Sequence, residues 1–356
     1  MSSDLEKNSF LQFENRKVDH IHLSLDSNNQ TSEFSEFSQI ELIHEALPDL
    51  NLEDVDITST ALNLDFKTPF LISSMTAGHV RGVDLNLRFA RAAEARGWLM
   101  GVGSQRRELT DPEAKSEWKR LREVAPRVQL LGNIGISQLI QTSTKEVEDL
   151  VGSLEACGMI VHLNALQEGL QPEGTPQFRG GFDRLQDLAE TLSVPVIVKE
   201  TGCGFSENTL KRLSQTKVRA VDVSGLGGTH WGRIEGGRSQ KGDLLQKASE
   251  SFQDWGISTV ESVFTAVSLK PPFEVWASGG VRSGLDAAKM LAMGSSMVGF
   301  AKPLLEAGLE SEESLFQTMR RFEYELKLAL FCTNSKNLEE LKLKKVWKWK
   351  KSEPTI

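Results

Sequence analysis

A chain of 356 residues, 39% of them hydrophobic and 25% charged, can bury one large core, and a single α/β barrel of about 250 residues with extensions would use most of it. The formal net charge of −8 argues against a nucleic-acid partner, which favours a basic surface, yet leaves room for a local cationic pocket. Three widely spaced cysteines, Cys157, Cys203 and Cys332, suggest neither a disulfide framework nor a structural zinc site.

The opening MSSDLEKNSF is polar and unlike a signal peptide. No apolar run approaches the roughly 18 residues of a membrane span, so a cytoplasmic protein without a membrane partner is expected. Residues 1–68 read as an N-terminal extension, with a basic pair, Arg16-Lys17, in RKVDHIHLSL and a polar, acidic stretch from Asp26 to Ser38. From Pro69 onward, short apolar runs alternate with amphipathic stretches. The runs are PFLISSM, WLMGVGS, VQLLGNIG, GMIVHLN, VPVIVKE, VRAVDVSG, FEVWASGG and SSMVGFA. Short, β-branched-rich runs of this kind are parallel strands covered on both faces. Between them, DLNLRFARAAEARG places Leu85, Phe89 and Ala92 on one helical stripe. SGLDAAKMLAMG does the same with Leu285, Ala288 and Leu291, and Gly294 follows as a C-cap. Eight strand–helix units predict a (β/α)8 TIM barrel over residues 69–332. A doubly wound open sheet would carry its glycine-rich fingerprint after the first strand, whereas here such turns follow the last three runs. Two connections, Gln167 to Gly180 and Gly225 to Ile257, are too long for plain turns and read as functional or mobile. Residues 333–356 read as a basic C-terminal helical tail with LKLKKVWKWKK, solvated or touching another subunit.

In such a barrel the active site lies at the C-terminal ends of the strands, where the polar residues gather. WASGGVRSG ends a strand in paired glycines before a helix. Its backbone N–H groups, with Arg282 and the later FAKP, suit a phosphate. Lys199 ends VPVIVKE, and Asn133, Ser224 and Thr229 supply neutral hydrogen-bond partners across the barrel. A cation among amides and hydroxyls suits an isoalloxazine ring, with Lys199 as counter-ion to its reduced form. HLNALQEGLQPEG carries the carboxylates Glu168 and Glu173 among amide side chains, and one or two carboxylates with amide oxygens can make a hard-cation site. Glu173 reads there as an ordinary loop carboxylate, and His162 taken alone as a core histidine.

Together these segments resemble the type 2, FMN-dependent isopentenyl diphosphate isomerases. The pieces are RKVDH, SSMTAGH, GVGSQR, NIG, HLNALQE with QPEG, VPVIVKE, VDVSGLGGT, WGI, ASGGVRSGLD and GFAKPL, from Arg16 to about Leu305. The resemblance implies a homo-oligomeric barrel, a tetramer or octamer, that binds FMN, needs Mg²⁺ and uses NADPH only to reduce the flavin. It implies flavin contacts at Ser74, Met75, Thr76, Ser104, Asn133, Lys199, Ser224 and Thr229. Gly280, Val281, Arg282, Ala301 and Lys302 would hold the FMN phosphate. Arg16, Lys17, Ser104, Gln105, Arg106 and Gln167 would touch the diphosphate substrate, and Glu168 would bind Mg²⁺. The candidate catalytic residues are Lys199, Gln167 and His162. Departures from the family pattern are Ala77, Gly78 and His79 after the first strand, His230 in GGTHWGR, and Lys302 where Arg is frequent. The reaction implied is transposition of a C=C bond between isopentenyl and dimethylallyl diphosphate.

Three rivals remain at this stage. An FMN-dependent α-hydroxy-acid oxidase would need a histidine base after the sixth strand, near His230. IMP-dehydrogenase-like chemistry would need a nucleophilic cysteine, for which Cys203 is the nearest candidate. A non-catalytic flavin-binding protein would need only the polar mouth.

Overall fold

The computed structural model describes residues 19–31, 36–75 and 80–350, apart from the side chains of residues 80, 81 and 112. Eight parallel strands close into a barrel in chain order, with the last paired to the first. They are β1 (Phe70–Ile72), β2 (Leu99–Gly101), β3 (Leu130–Gly135), β4 (Gly158–Leu163), β5 (Val196–Glu200), β6 (Ala220–Asp222), β7 (Glu274–Ala277) and β8 (Met297–Phe300). Each strand is followed by a barrel helix: α1 (Val80–Arg96), α2 (Ser116–Val124), α3 (Thr144–Leu154), α4 (Gly181–Thr191), α5 (Glu207–Leu213), α6 (Thr259–Ser268), α7 (Gly284–Met293) and α8 (Glu312–Cys332). All eight apolar runs of the sequence are these strands.

Side chains alternate between the two faces of a strand, and this alternation builds the barrel interior in layers. One residue from each strand makes an apolar layer: Leu71, Leu99, Leu131, Ile160, Ile197, Ala220, Trp276 and Met297. Ala61, Leu62 and Phe66, from the hairpin of Ser59–Ala61 with Leu64–Phe66, pack against the same layer. The hairpin sits at the N-terminal end, where Leu62 N–H donates to Glu274 at the start of β7 (2.9 Å). Two residues further along each strand, the same inward register carries Ser73, Gly101, Asn133, His162, Lys199, Asp222, Ser278 and Gly299. The barrel thus changes from oil to polar groups within one step of the pleat.

On the outer face of the barrel, Phe70, Trp98, Phe300 and Phe322 stack edge and face, with ring centroids 4.6–5.6 Å apart. Glu323 of α8 reaches into this cluster, accepting from Trp98 Nε1 (2.7 Å) and pairing with Arg96. Helix ends follow local chemistry. Ser143 and Glu146 form a reciprocal cap on α3, and α7 stops at Gly294, which adopts the left-handed φ of 119° that favours glycine. Leu285 corrects the expected stripe: it is 46% exposed, and Ala287, Ala288, Met290 and Leu291 face the core instead. The two long connections hold helices of their own, Ala165–Leu170 in one and Trp231–Arg238 with Leu244–Ser251 in the other. Among its described residues, the tail is helical only at Leu338–Leu343. Trp347–Trp349 is a strand, antiparallel to Ile40–Leu42, and both tryptophans contact the Phe264 ring.

Replacing Glu323 by Leu strands the buried Trp98 N–H and removes the partner of Arg96. A loss of about 2–3 kcal/mol is expected, read as a lower urea midpoint at unchanged m-value. An unchanged midpoint would show that this contact contributes nothing.

Candidate active site

The polar layer opens into a cavity at the C-terminal end of the strands, lined by Ser73, Asn133, His162, Lys199, Ser278 and Gly299 among others. Lys199 is buried, and its ammonium donates to Glu200 O (3.0 Å) and Ser278 Oγ (3.2 Å) and pairs with Asp222 Oδ2 (3.1 Å). Ser278 Oγ in turn donates to Asp222 Oδ1 (2.6 Å). On the opposite wall, Asn133 Nδ2 donates to Val102 O (3.1 Å) and its Oδ1 lies 2.8 Å from His162 Nδ1. That carbonyl oxygen requires a proton on Nδ1, so the neutral ring presents Nε2 as its acceptor. Gly135 makes room for the ring: a Cβ there would lie 2.9 Å from Nε2.

Gln105, expected as a substrate contact, belongs to the wall instead. It is buried, accepting from Asn133 N–H (3.0 Å) and donating to Glu108 (2.9 Å) and Leu150 O (3.0 Å). The reason is its start in a tight 3-10 turn, Gln105–Leu109, which aims it back at β3. Its neighbours Ser104 and Arg106 do line the cavity.

The mouth is built by the two helical connections. Glu168 lies one turn into Ala165–Leu170, with Oε1 accepting from Asn164 Nδ2 (3.0 Å) and Oε2 from Thr175 N–H (2.6 Å). Asn164 Oδ1 is buried without a partner among the described residues. The Asn164 amide is thus held to Glu168 through its Nδ2, which leaves its Oδ1 as an open oxygen donor in the same residue pair. Arg106 is held below the usual guanidinium range by burial, against the pull of Glu168 and Glu173. Gln167 Nε2 donates to Glu235 Oε1 (3.0 Å) on Trp231–Arg238, and His20 Nε2 meets the same oxygen (3.0 Å). Arg238 Nη1 bonds the other oxygen (2.6 Å), and its Nη2 bonds Glu173 (2.6 Å). Burial alone would raise the Glu235 carboxyl; the bonds from His20, Gln167 and Arg238 outweigh it and hold it below the usual carboxylate range. Trp231 packs edge-on to His20, with ring centroids 5.0 Å apart, and both line the cavity.

Two glycine turns interlock at the remaining wall. Gly279 and Gly280, at φ 97° and 79°, lie against Gly225, Gly227 and Gly228; a Cβ on Gly280 would stand 2.1 Å from Gly227 O. Val281, Arg282, Ala301 and Lys302 line the cavity beside them, as do Ser224 and Thr229. Lys302 also donates to Leu25 O (3.0 Å), joining β8 to residues 19–31. That segment is tied down further by Thr31 N–H to Gly228 O and His230 N–H to Asn29 O, both 2.9 Å.

Ser74, Met75 and Gln167 line the same cavity, whereas Arg16, Lys17 and Thr76, with the departures Ala77, Gly78 and His79, lie outside the described residues. Sequence reasoning missed Asp222, Ser278, Trp231 and Glu235. Asp222 sits mid-run in an apolar strand, and its inward register was its one signal. Trp231 and Glu235 share a helix face at four-residue spacing, a signal hidden while the stretch is read as a loop.

Two rivals lose their key residue. His230 is fully buried and caps Trp231–Arg238, accepting from Arg233 N–H at Nδ1 (3.2 Å) and facing Trp255 O with Nε2 (3.1 Å). Both ring nitrogens are spent on structure, so it is no base for a hydroxy acid. Burial pushes the Cys203 thiol up to about 12, with Glu200 adding to the shift. A thiol held that high is no nucleophile near neutrality. Glu200 is itself pushed by burial up to about 7, although its carboxylate accepts from the backbone N–H groups of Thr201, Gly202, Cys203 and Gly204.

Residues 114–348 match the FMN-dependent dehydrogenase family. The chain is 52% identical over 338 residues to the isopentenyl-diphosphate delta-isomerase of Legionella pneumophila (strain Lens), covering 95% of this chain and 99% of the relative. The chain belongs to the type 2 isopentenyl-diphosphate delta-isomerase family. Isomerases from Bdellovibrio bacteriovorus (51% over 345 residues, 96% and 99% covered) and Rickettsia felis (39% over 340 residues, 95% and 98%) extend the match. Among solved structures, a mandelate oxidase superposes with a TM-score of 0.61 at 15% identity over 90% of each chain, a likeness of fold alone. The isomerase family therefore uses, in this member, a histidine cap where the oxidase reading wanted a base.

His230→Ala removes that cap and should cost about 1 kcal/mol. Burial keeps the folded His230 below its usual pKa. The unfolded chain, titrating near 6.5, therefore takes up a proton that the folded one refuses. The contribution of His230 is whole above about pH 6.5 and shrinks as pH falls below it. Urea titrations of wild type and variant between about pH 7.5 and 5.5 check this; a stability gap that widens toward acid would contradict it.

Proposed function

We propose that the chain interconverts isopentenyl diphosphate and dimethylallyl diphosphate at this cavity, with reduced FMN, a Mg²⁺ ion, and NADPH serving only as reductant. The observation that carries the reading is the inward polar layer itself. It combines a buried lysine, amide and imidazole groups, and a glycine cradle at one open end, in a chain of the isomerase family. The donor set suits FMN. The buried hydroxyls of Ser74 and Ser104 lack partners among the described residues, and Gly279-Gly280 with Arg282 and Lys302 offers N–H groups and cations to a phosphate.

The cation site suits Mg²⁺ of one kind. Among the described residues, no group of three or more His, Cys, Asp or Glu is placed to hold a metal. Glu168 and Asn164 Oδ1 are a partial shell, and Mg²⁺ commonly completes such a shell with waters and substrate phosphate. Arg106 adds charge at that end.

Allylic hydrogens are scarcely acidic and an alkene is a poor base, so side chains tuned near neutrality match neither well. Reduced FMN supplies an electron-rich ring and a proton relay. The chain's residues do the rest. Arg106 would hold the diphosphate, and Glu168 would hold the cation beside it, which orients the apolar end. Trp231 offers an aromatic face to cation character at the tertiary carbon. Gln167, held by Glu235, and His162, held by Asn133, fix hydrogen-bonding atoms around the carbons that gain and lose a proton.

The test is anaerobic incubation of isopentenyl diphosphate with protein, FMN, Mg²⁺ and NADPH, followed by product analysis. Dimethylallyl diphosphate is expected; flavin reduction by lactate or mandelate, with no isomer formed, would overturn the reading in favour of an oxidase. Glu168→Gln should cut Mg²⁺-dependent turnover by at least about tenfold, the loss of about 1.4 kcal/mol, while FMN is retained. An unchanged Mg²⁺ titration of activity would remove Glu168 from the metal site.

A further inference from the structure

We propose that Asp222 is a positioning residue that neutralises Lys199 and so sets the net charge the cavity presents to the flavin; this rests on the FMN reading above. Lys199 by itself would offer a full positive charge to the ring. The structure gives it a partner. In the parallel pairing of β5 and β6, Lys199 stands directly opposite Asp222, and their charged atoms are 3.1 Å apart, with side chains 8% and 1% exposed.

The pairing is built rather than incidental. An ammonium has three N–H donors; two go to Glu200 O and Ser278 Oγ, and Asp222 Oδ2 stands 3.1 Å away as the ion-pair partner. Ser278 closes the triangle by donating to the second oxygen of Asp222 (2.6 Å). Lys199, Asp222 and Ser278 come from adjacent strands, each two residues beyond a member of the apolar layer, Ile197, Ala220 and Trp276. In so dry a place two opposite charges hold each other, because either one alone is costly to bury.

The consequence concerns the flavin's electron richness. An unpaired lysine would favour the anionic reduced ring over the oxidised one and draw on its electron density. A neutral pair leaves a hydrogen-bond donor at the ring without that bias. For a reaction with no net redox change, a reduced ring that stays electron-rich is the useful state.

The measurement is the midpoint potential of bound FMN, by dye equilibration, in wild type, Asp222→Asn and Lys199→Met/Asp222→Asn. Removing the aspartate charge should favour reduced over oxidised FMN by about tenfold, a rise of about 30 mV for two electrons. Removing both charges together should return the ratio to within about threefold of wild type, or about 15 mV. An Asp222→Asn potential equal to or below wild type overturns the proposal, and so does a double variant tenfold or more below it. If Asp222→Asn fails to fold or hold flavin, the double variant decides alone, since neutral replacement of a buried pair is commonly tolerated. Wild type that takes up no FMN overturns the flavin reading and this proposal with it. Wild type that binds FMN while the variants fail these criteria overturns only the proposal.

Discussion

The change from apolar to polar across one pleat of the barrel is the constraint on which the site depends. Leu131, Ile160, Ile197 and Trp276 fill the interior so completely that the next inward residues, Asn133, His162, Lys199 and Ser278, rest on a dry floor. There they have little water to pair with, so they pair with one another. A buried polar group without a partner costs about 1–3 kcal/mol. The bonds from Asn133 to His162 and from Lys199 to Asp222 are therefore also what orients each functional atom.

The mouth follows the same rule with more charge. Glu235 is fully buried, yet it is kept ionised by three donors from three segments: His20 before the barrel, Gln167 after β4, and Arg238 on its own helix. One carboxylate thus joins the N-terminal segment to two active-site connections. Glu200 does a related job at the end of β5, where its carboxylate gathers successive backbone N–H groups and shapes the loop that follows. Burial exacts its cost in the shift of that carboxyl up to about 7.

The barrel was legible because it is periodic. Each strand lies in a short, mostly apolar run, and the polar residues toward the ends of the runs mark the functional rim. What was not legible depends on direction. Gln105 and Arg106 are neighbours in sequence, but a 3-10 turn sends one into the wall and leaves the other on the cavity. Asp222 lies in a strand whose flanks are apolar, and only its pairing with β5 gives it meaning. Leu285 fits a helical stripe by spacing, yet Phe322 and Glu325 of α8 crowd the start of α7 at Gly284 and turn the buried stripe elsewhere. The tail's WKW looked basic and solvated because alternation in three residues is too short to read until Ile40–Leu42 is found beside it.

Flavin binding at this cavity depends on the interlocked glycine turns above the polar layer serving as the seat of its phosphate. Equilibrium dialysis of FMN against wild type and Gly280→Val tests this most directly, with circular dichroism to verify that both are folded. A side chain at Gly280 meets Gly227 O at 2.1 Å and a φ of 79°, so it must push the cradle open. One FMN per wild-type chain is predicted, with uptake by the folded variant weakened at least about tenfold, or about 1.4 kcal/mol. Equal uptake by both, or none by wild type, would contradict it.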